Sequence, residues 1–249
     1  MLYYICAERP PEPDHRSNKK RQTTRMMDQE MSLPLIKADD AAKAVEPPWL
    51  KKWWRVSHFL GFFIGGTTFI FGTLCYYFPT WTDGAFDASF LYTLGSVGFL
   101  YVDLLELFTF TDDGWIRANI AMSTVGSTFY VIGSVGFFPA IFNASMTCGL
   151  LGFIFGSACI GASQTWKLRR LSREEGGMFG SVGTATQVGI EGGAMIGGYC
   201  FLVGTTMFAS GKPLEGAWLE AILAMWVAGS VAFTIGSLFV GFRHFVMGV

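Results

Sequence analysis

Three acidic residues sit in stretches of sequence that are otherwise apolar. Asp103 and Glu106 stand one helical turn apart, on a shared face near the end of one apolar run, and Glu191 interrupts another. An ionised carboxylate at membrane depth costs ~2.5–3.5 kcal/mol on insertion scales, so such groups are paired, protonated or functional. The chemistry open to them is a proton or cation pathway. The plainer reading is ion pairing with Arg55, Arg117 or Arg169, or simple exposure at a helix end. Gln164 and Gln187 are available as neutral partners for Glu191.

The other reactive side chains do not assemble into a catalytic set. The three histidines are His15, His58 and His244, and the last two fall at the ends of apolar runs. Capping and snorkelling account for them more cheaply than metal binding. The five cysteines, Cys6, Cys75, Cys148, Cys159 and Cys200, form no CxxC pair, and four lie in apolar runs as small core residues. No glycine-rich phosphate loop follows a strand, and no Ser–His–Asp set can be nominated. The expectation is a non-enzyme without catalytic, cofactor-binding or metal-ligating residues.

The elements that hold these acids are membrane helices. The chain of 249 residues is 51% hydrophobic and 15% charged, with mean hydropathy +0.39; soluble domains carry about 25% charge. Six apolar runs span about 57–78, 88–110, 116–138, 142–165, 183–209 and 217–242. Each is long enough to cross a bilayer, which takes ~20 residues at the helical rise. The fold class expected is all-α and polytopic, with six transmembrane helices.

These runs repeat a pattern. Gly66-Thr67-Thr68-Phe69-Ile70-Phe71-Gly72-Thr73 in the first run returns as Gly198-Tyr199-Cys200-Phe201-Leu202-Val203-Gly204-Thr205, and more loosely around Gly133. The even runs share a glycine–serine step at Gly95-Ser96, Gly156-Ser157 and Gly229-Ser230. Gly72 to Gly95 is 23 residues, Gly133 to Gly156 is 23, and Gly204 to Gly229 is 25. Such register marks one helical hairpin written three times. Pro79, Pro139 and Pro213 follow the odd runs, where a helix must stop. In lipid, small residues let helices approach closely. Gly66, Gly72, Gly95, Gly133, Gly156, Gly198, Gly204 and Gly229 are therefore read as packing positions, with Gly161, Gly192, Gly193 and Gly197 in the same role.

The organisation that follows is a basic, proline-containing and disordered segment at 1–48, hairpins at 49–110, 111–166 and 183–249, and an inner linker at 167–182. Trp49, Lys51, Lys52, Trp53, Trp54 and Arg55 read as interfacial anchors of the first helix. Of the 18 Lys and Arg, 17 fall on one side if helices alternate, and only Lys212 on the other. The positive-inside rule then puts both termini on the inner, cytoplasmic or matrix/stromal, side.

Residues 55–108 resemble the YrhK-like membrane hairpin domain, on the glycine–phenylalanine run of the first helix, the Gly95-Ser96-x-x-Phe99 step and Asp103-Leu104-Leu105-Glu106-Leu107. The later hairpins look like diverged copies without that acidic ending. The resemblance implies a fold more than an activity. The function expected is a scaffold or accessory subunit of a membrane complex. The alternative is a small-ion or proton channel or transporter using Glu191, Asp103 and Glu106. The partners expected are the lipid bilayer and other membrane-protein subunits, with no cofactor and no nucleic acid.

Overall fold

A backbone in hydrocarbon must satisfy its own hydrogen bonds, and the helix does so within one segment. The computed structural model describes residues 48–78, 83–110, 114–174 and 180–248. Among them there is no strand. The helices are α1 (Pro48–Tyr77), α2 (Gly84–Thr109), α3 (Gly114–Gly136), the short α4 (Pro139–Ala144), α5 (Thr147–Glu174), α6 (Val182–Phe208) and α7 (Gly216–Gly241). A π-helical turn, Phe242–Val246, continues α7. Residues 1–47, Pro79, Trp81 and the side chain of Trp49 lie outside the described residues, and with them the expected disordered segment.

Five of these helices are long and apolar enough to cross a membrane: Lys51–Tyr77, Gly84–Thr109, Thr147–Arg173, Val182–Phe208 and, with its π turn, Gly216–Val246. The helix α3 is not among them. Arg117, Asn119, Ser123, Thr124, Ser127, Thr128 and Ser134 dilute its apolar residues. Hydroxyls inside the helices bond back to the preceding turn, as Ser134 does to the Tyr130 carbonyl at 2.7 Å and Ser230 to that of Trp226 at 2.7 Å.

Some boundaries differ from those read in the sequence. The helix α5 continues to Glu174, so the first half of the stretch assigned to an inner linker is helical. Lys167-Leu168-Arg169-Arg170-Leu171 are good helix formers, and nothing there breaks the pattern. Ser181 caps α6 by accepting from the Thr184 amide at 3.0 Å. Pro139 opens α4, where its missing N–H costs nothing.

The six long helices close a ring. Each packs against its neighbours in chain order, α3 meeting α5, and α7 returns to pack against α1. Aromatic rings fill the axis. Phe69 of α1, Tyr130 of α3 and Phe201 of α6 touch one another with centroids 5.9, 5.2 and 6.2 Å apart. Above them Tyr92, Phe153 and Trp226 form a second layer, with Tyr92 5.7 Å from Phe153 and 6.5 Å from Trp226. Phe99 and Phe233 meet below at 4.9 Å. The polar tips are satisfied: Tyr92 shares a hydrogen bond with Thr73 at 2.7 Å, Trp226 donates to Thr205 at 3.2 Å, and Tyr130 pairs with Ser157 at 3.0 Å. The outer surface is apolar, with Val97, Leu151, Phe155, Ile196, Val203 and Leu238 exposed. That surface fits a lipid environment.

Glycine sets how close the helices come. A Cβ added at Gly133 would lie 2.7 Å from the Phe153 amide nitrogen, one at Gly156 2.8 Å from the Gly126 carbonyl oxygen, and one at Gly198 3.0 Å from the Gly161 nitrogen. At Gly66 the obstacle is Thr234, at Gly95 Phe69, at Gly204 Trp226 and at Gly229 Phe201, all within 2.8 Å; at Gly72 it is Ala88 and Tyr92 at 3.3 Å. Gly192 differs from its neighbours, because a Cβ there meets nothing within 4 Å.

Candidate functional site

The aromatic filling gives way to polar side chains at one end of the ring, the end where α1 begins and α7 finishes. His58 and His244, 186 residues apart in sequence, are hydrogen-bonded there. The helix α1 supplies His58, α2 Asp103 and Glu106, α5 Lys167, α6 Gln187 and Glu191, and the π turn Arg243 and His244.

Their bonds run from helix to helix around the bundle. His244 Nε2 lies 3.1 Å from His58 Nδ1, and His58 Nε2 lies 3.0 Å from Glu106 Oε1. Lys167 Nζ stands between two carboxylates, 3.8 Å from Glu106 Oε2 and 3.4 Å from Glu191 Oε2. Gln187 donates to Glu191 through its amide, and its amide oxygen accepts from Arg243 at 2.9 Å. Arg243 adjoins His244 in the chain, so the circuit closes. In the π turn Arg243 reaches back to α6 while His244 reaches across to α1, which flanks α7 on the other side.

The network is largely shielded from water. Glu191 and Asp103 are buried, and Glu106 is 15% and Lys167 25% exposed at the side chain. Buried ion pairs hold only when each charge meets a partner, since desolvation alone would cost several kcal/mol per ion. The partners are not the ones suggested by the sequence. Arg55, Arg117 and Arg169 have no place in these ion pairs; Lys167 and His58 serve Glu106, and Asp103 accepts a hydrogen bond from Ser127 of α3. Gln187 does bond Glu191, whereas Gln164 does not. Its amide oxygen is buried without a hydrogen-bond partner.

The tryptophan belt also divides. Lys51, Lys52 and Trp53 are exposed, consistent in position with an interface. Trp54 instead turns inward. Its ring stacks on His58 at 4.6 Å, and its indole N–H donates to Thr109 Oγ1 at 3.1 Å, tying α1 to the end of α2. Arg55 is half-buried. His58 is thus held by Glu106, His244 and Trp54 together, beyond any capping role.

The helix α3 enters this end through neutral groups. Asn119 donates to the Ser163 carbonyl at 2.9 Å, and Ser163 Oγ donates back to Asn119 Oδ1 at 3.0 Å. Among the described residues no three His, Cys, Asp or Glu are grouped to hold a metal ion. The chemistry available to the arrangement is proton exchange among imidazoles and carboxylates, and ion pairing that fixes helices to one another. No protein family matches the chain, and neither a curated protein nor a solved structure matches it.

Proposed function

We propose that the protein is a non-enzymatic, multi-pass membrane protein acting as a scaffold or accessory subunit of a membrane complex. The observation that carries this is the packed axis. Phe69, Tyr130 and Phe201 meet at its centre, and Tyr92, Phe153 and Trp226 form a layer beside them. A bundle of that kind suits holding a shape in lipid, and its outward face of apolar side chains suits lateral contact with lipid or other membrane subunits.

The reading includes six spans, with α3 as the sixth, arranged as three repeated hairpins with both termini inside. Two observations support it. Phe69, Tyr130 and Phe201 each precede the repeated glycines Gly72, Gly133 and Gly204 by three residues, and the three rings touch one another. Thr73–Tyr92 and Thr205–Trp226 are hydrogen bonds between matching positions of the first and third hairpins. The resemblance of residues 55–108 to the YrhK-like domain belongs to the same proposal. In α3, burial against α2 and α5 shelters Asn119, Ser123, Ser127 and Ser134, four of the polar residues that dilute its hydropathy.

A second reading, proton or small-ion movement, is favoured by the network of Glu106, Lys167 and Glu191, which keeps charge inside an apolar bundle. Purified full-length chain in liposomes separates the two. The scaffold reading expects no proton or ion flux above empty liposomes, together with stoichiometric co-purification of a membrane partner. Robust flux abolished by Glu191→Gln would overturn it.

A further inference from the structure

His58 and His244 are 1% and 3% exposed and face each other ring to ring. Two imidazole nitrogens 3.1 Å apart share one hydrogen, since one must donate and the other accept. The second nitrogen of His58 faces Glu106 Oε1 at 3.0 Å, and a carboxylate only accepts, so that nitrogen carries a hydrogen of its own. Two states of the pair therefore keep every heavy atom in place. In one, His244 Nε2–H donates to a neutral His58. In the other, His58 is an imidazolium donating from both nitrogens, and His244 Nε2 accepts. Hydrogens on both facing nitrogens would put N–H against N–H, so this contact accommodates one proton and not two.

The surroundings leave room for that proton in charge as well as geometry. The helix α2 presents Asp103 and Glu106, and α6 presents Glu191. Against these three carboxylates stand two permanent cations, Lys167 of α5 and Arg243 of the π turn. The helix α3 offers Ser127 to Asp103 and no charge, and α1 adds the Trp54 ring against His58. With all five ionised the network is one positive charge short of balance, and buried charge is costly unless compensated. A hard metal cation does not fit the vacancy, because both Glu106 oxygens already face nitrogen donors, Oε1 to His58 and Oε2 to Lys167.

We propose that the His58–His244 pair is a proton-binding site that takes one proton from the aqueous face at this end of the bundle and holds it beside Glu106. A proton arriving on His244 makes it an imidazolium. Its Nε2 hydrogen shifts to His58 Nδ1, which leaves His58 an imidazolium donating to Glu106 Oε1 and His244 neutral; no electrons change hands. The site rests on neither functional reading, since it concerns binding and not flux.

The test uses the full-length chain in nanodiscs, with His15→Asn leaving only these two imidazoles and with ¹⁵N-labelled histidine. Nuclear magnetic resonance follows both rings as pH is lowered, in potassium and in sodium buffer. The expected result is one proton taken up by the two rings together, with a common midpoint, unchanged by sodium. Glu106→Gln, whose amide oxygen still accepts from His58, should weaken proton binding by about tenfold or more, one unit in midpoint. Two protons taken up at separate midpoints, no uptake at all, or a response to sodium in place of protons would each overturn the site. The parent titration decides the matter even if the Glu106→Gln chain fails to fold.

Discussion

Replacing Gly133 by leucine drives a side chain into backbone. The Cβ alone would lie 2.7 Å from both the amide nitrogen and Cδ2 of Phe153 and 3.0 Å from the carbonyl carbon of Gly152. Carbon contacts are comfortable at about 3.5–4.0 Å, so α3 and α5 must part by about 1 Å before the rest of the leucine is placed. Overpacking typically costs ~1–3 kcal/mol, and the upper end applies where the obstacle is backbone and not a flexible tip. Phe153 also touches Tyr130 at 5.2 Å, so displacement of α5 reaches the axis. A loss of ~3 kcal/mol corresponds to a fall in Tm of about 6–12 °C for a chain of this size. Gly192→Leu is the matched control: the same exchange within a helix, at a position where nothing lies within 4 Å. It should hold or raise Tm, since glycine is about 1 kcal/mol poorer than alanine in helices. Leu151→Ala, on the exposed surface, should change little; its neighbour Leu150 packs against the aromatic core and is no neutral comparison. Thermal unfolding in one detergent measures all three. Equal melting of Gly133→Leu and Gly192→Leu would refute the reasoning, and a bending role for the glycines would gain ground.

Lys167→Met removes the cation shared by Glu106 and Glu191, and breaking a buried pair this way costs ~3–5 kcal/mol; Arg169→Met, at an exposed site, should stay within about 0.5 kcal/mol by the same denaturation curves. Thr73→Val leaves the buried Tyr92 hydroxyl without its partner and should cost ~1–3 kcal/mol, a loss that Tyr92→Phe in the same chain recovers in part. Cysteines placed at Lys212 and Asn18, in a background lacking the five natural ones, should label from opposite faces of sealed vesicles. Labelling of both from one face would refute the proposed topology.

The helices were legible because apolar periodicity and length are local properties. Each run answers to its own ~20 residues, and proline and serine mark several ends. The long α5 was less so. The stretch from Lys167 to Glu174 looks like a polar link, since charge density there resembles a loop while its residues remain good helix formers. The inward turn of Trp54 was not legible either. A tryptophan beside lysines has the composition of an interface belt, and only the position of Thr109, 55 residues on, makes it an interhelical donor.

The site was half legible, and in the missing half only Lys167 carried a signal, through the proposed repeat. Asp103, Glu106 and Glu191 stood out through their cost in an apolar run, a property of one residue and its neighbours. His58, His244 and Arg243 gain meaning only from partners 48, 186 and 56 residues away. Lys167 is different, because a signal for it was present. It follows Gly156 by eleven residues, as Glu106 follows Gly95 by eleven. Matching positions of the proposed repeat thus carry opposite charges, and they come within 3.8 Å of each other. Asp103 and Gln164 share an offset of eight in the same way, one ionic and the other neutral. In an exact threefold copy, equal charges would converge at the end of the ring and repel. Divergence at these offsets lets equivalent helices bind one another there. A repeat read for what its copies share gives the helices; read for where the copies differ, it gives the charged residues that hold their ends together.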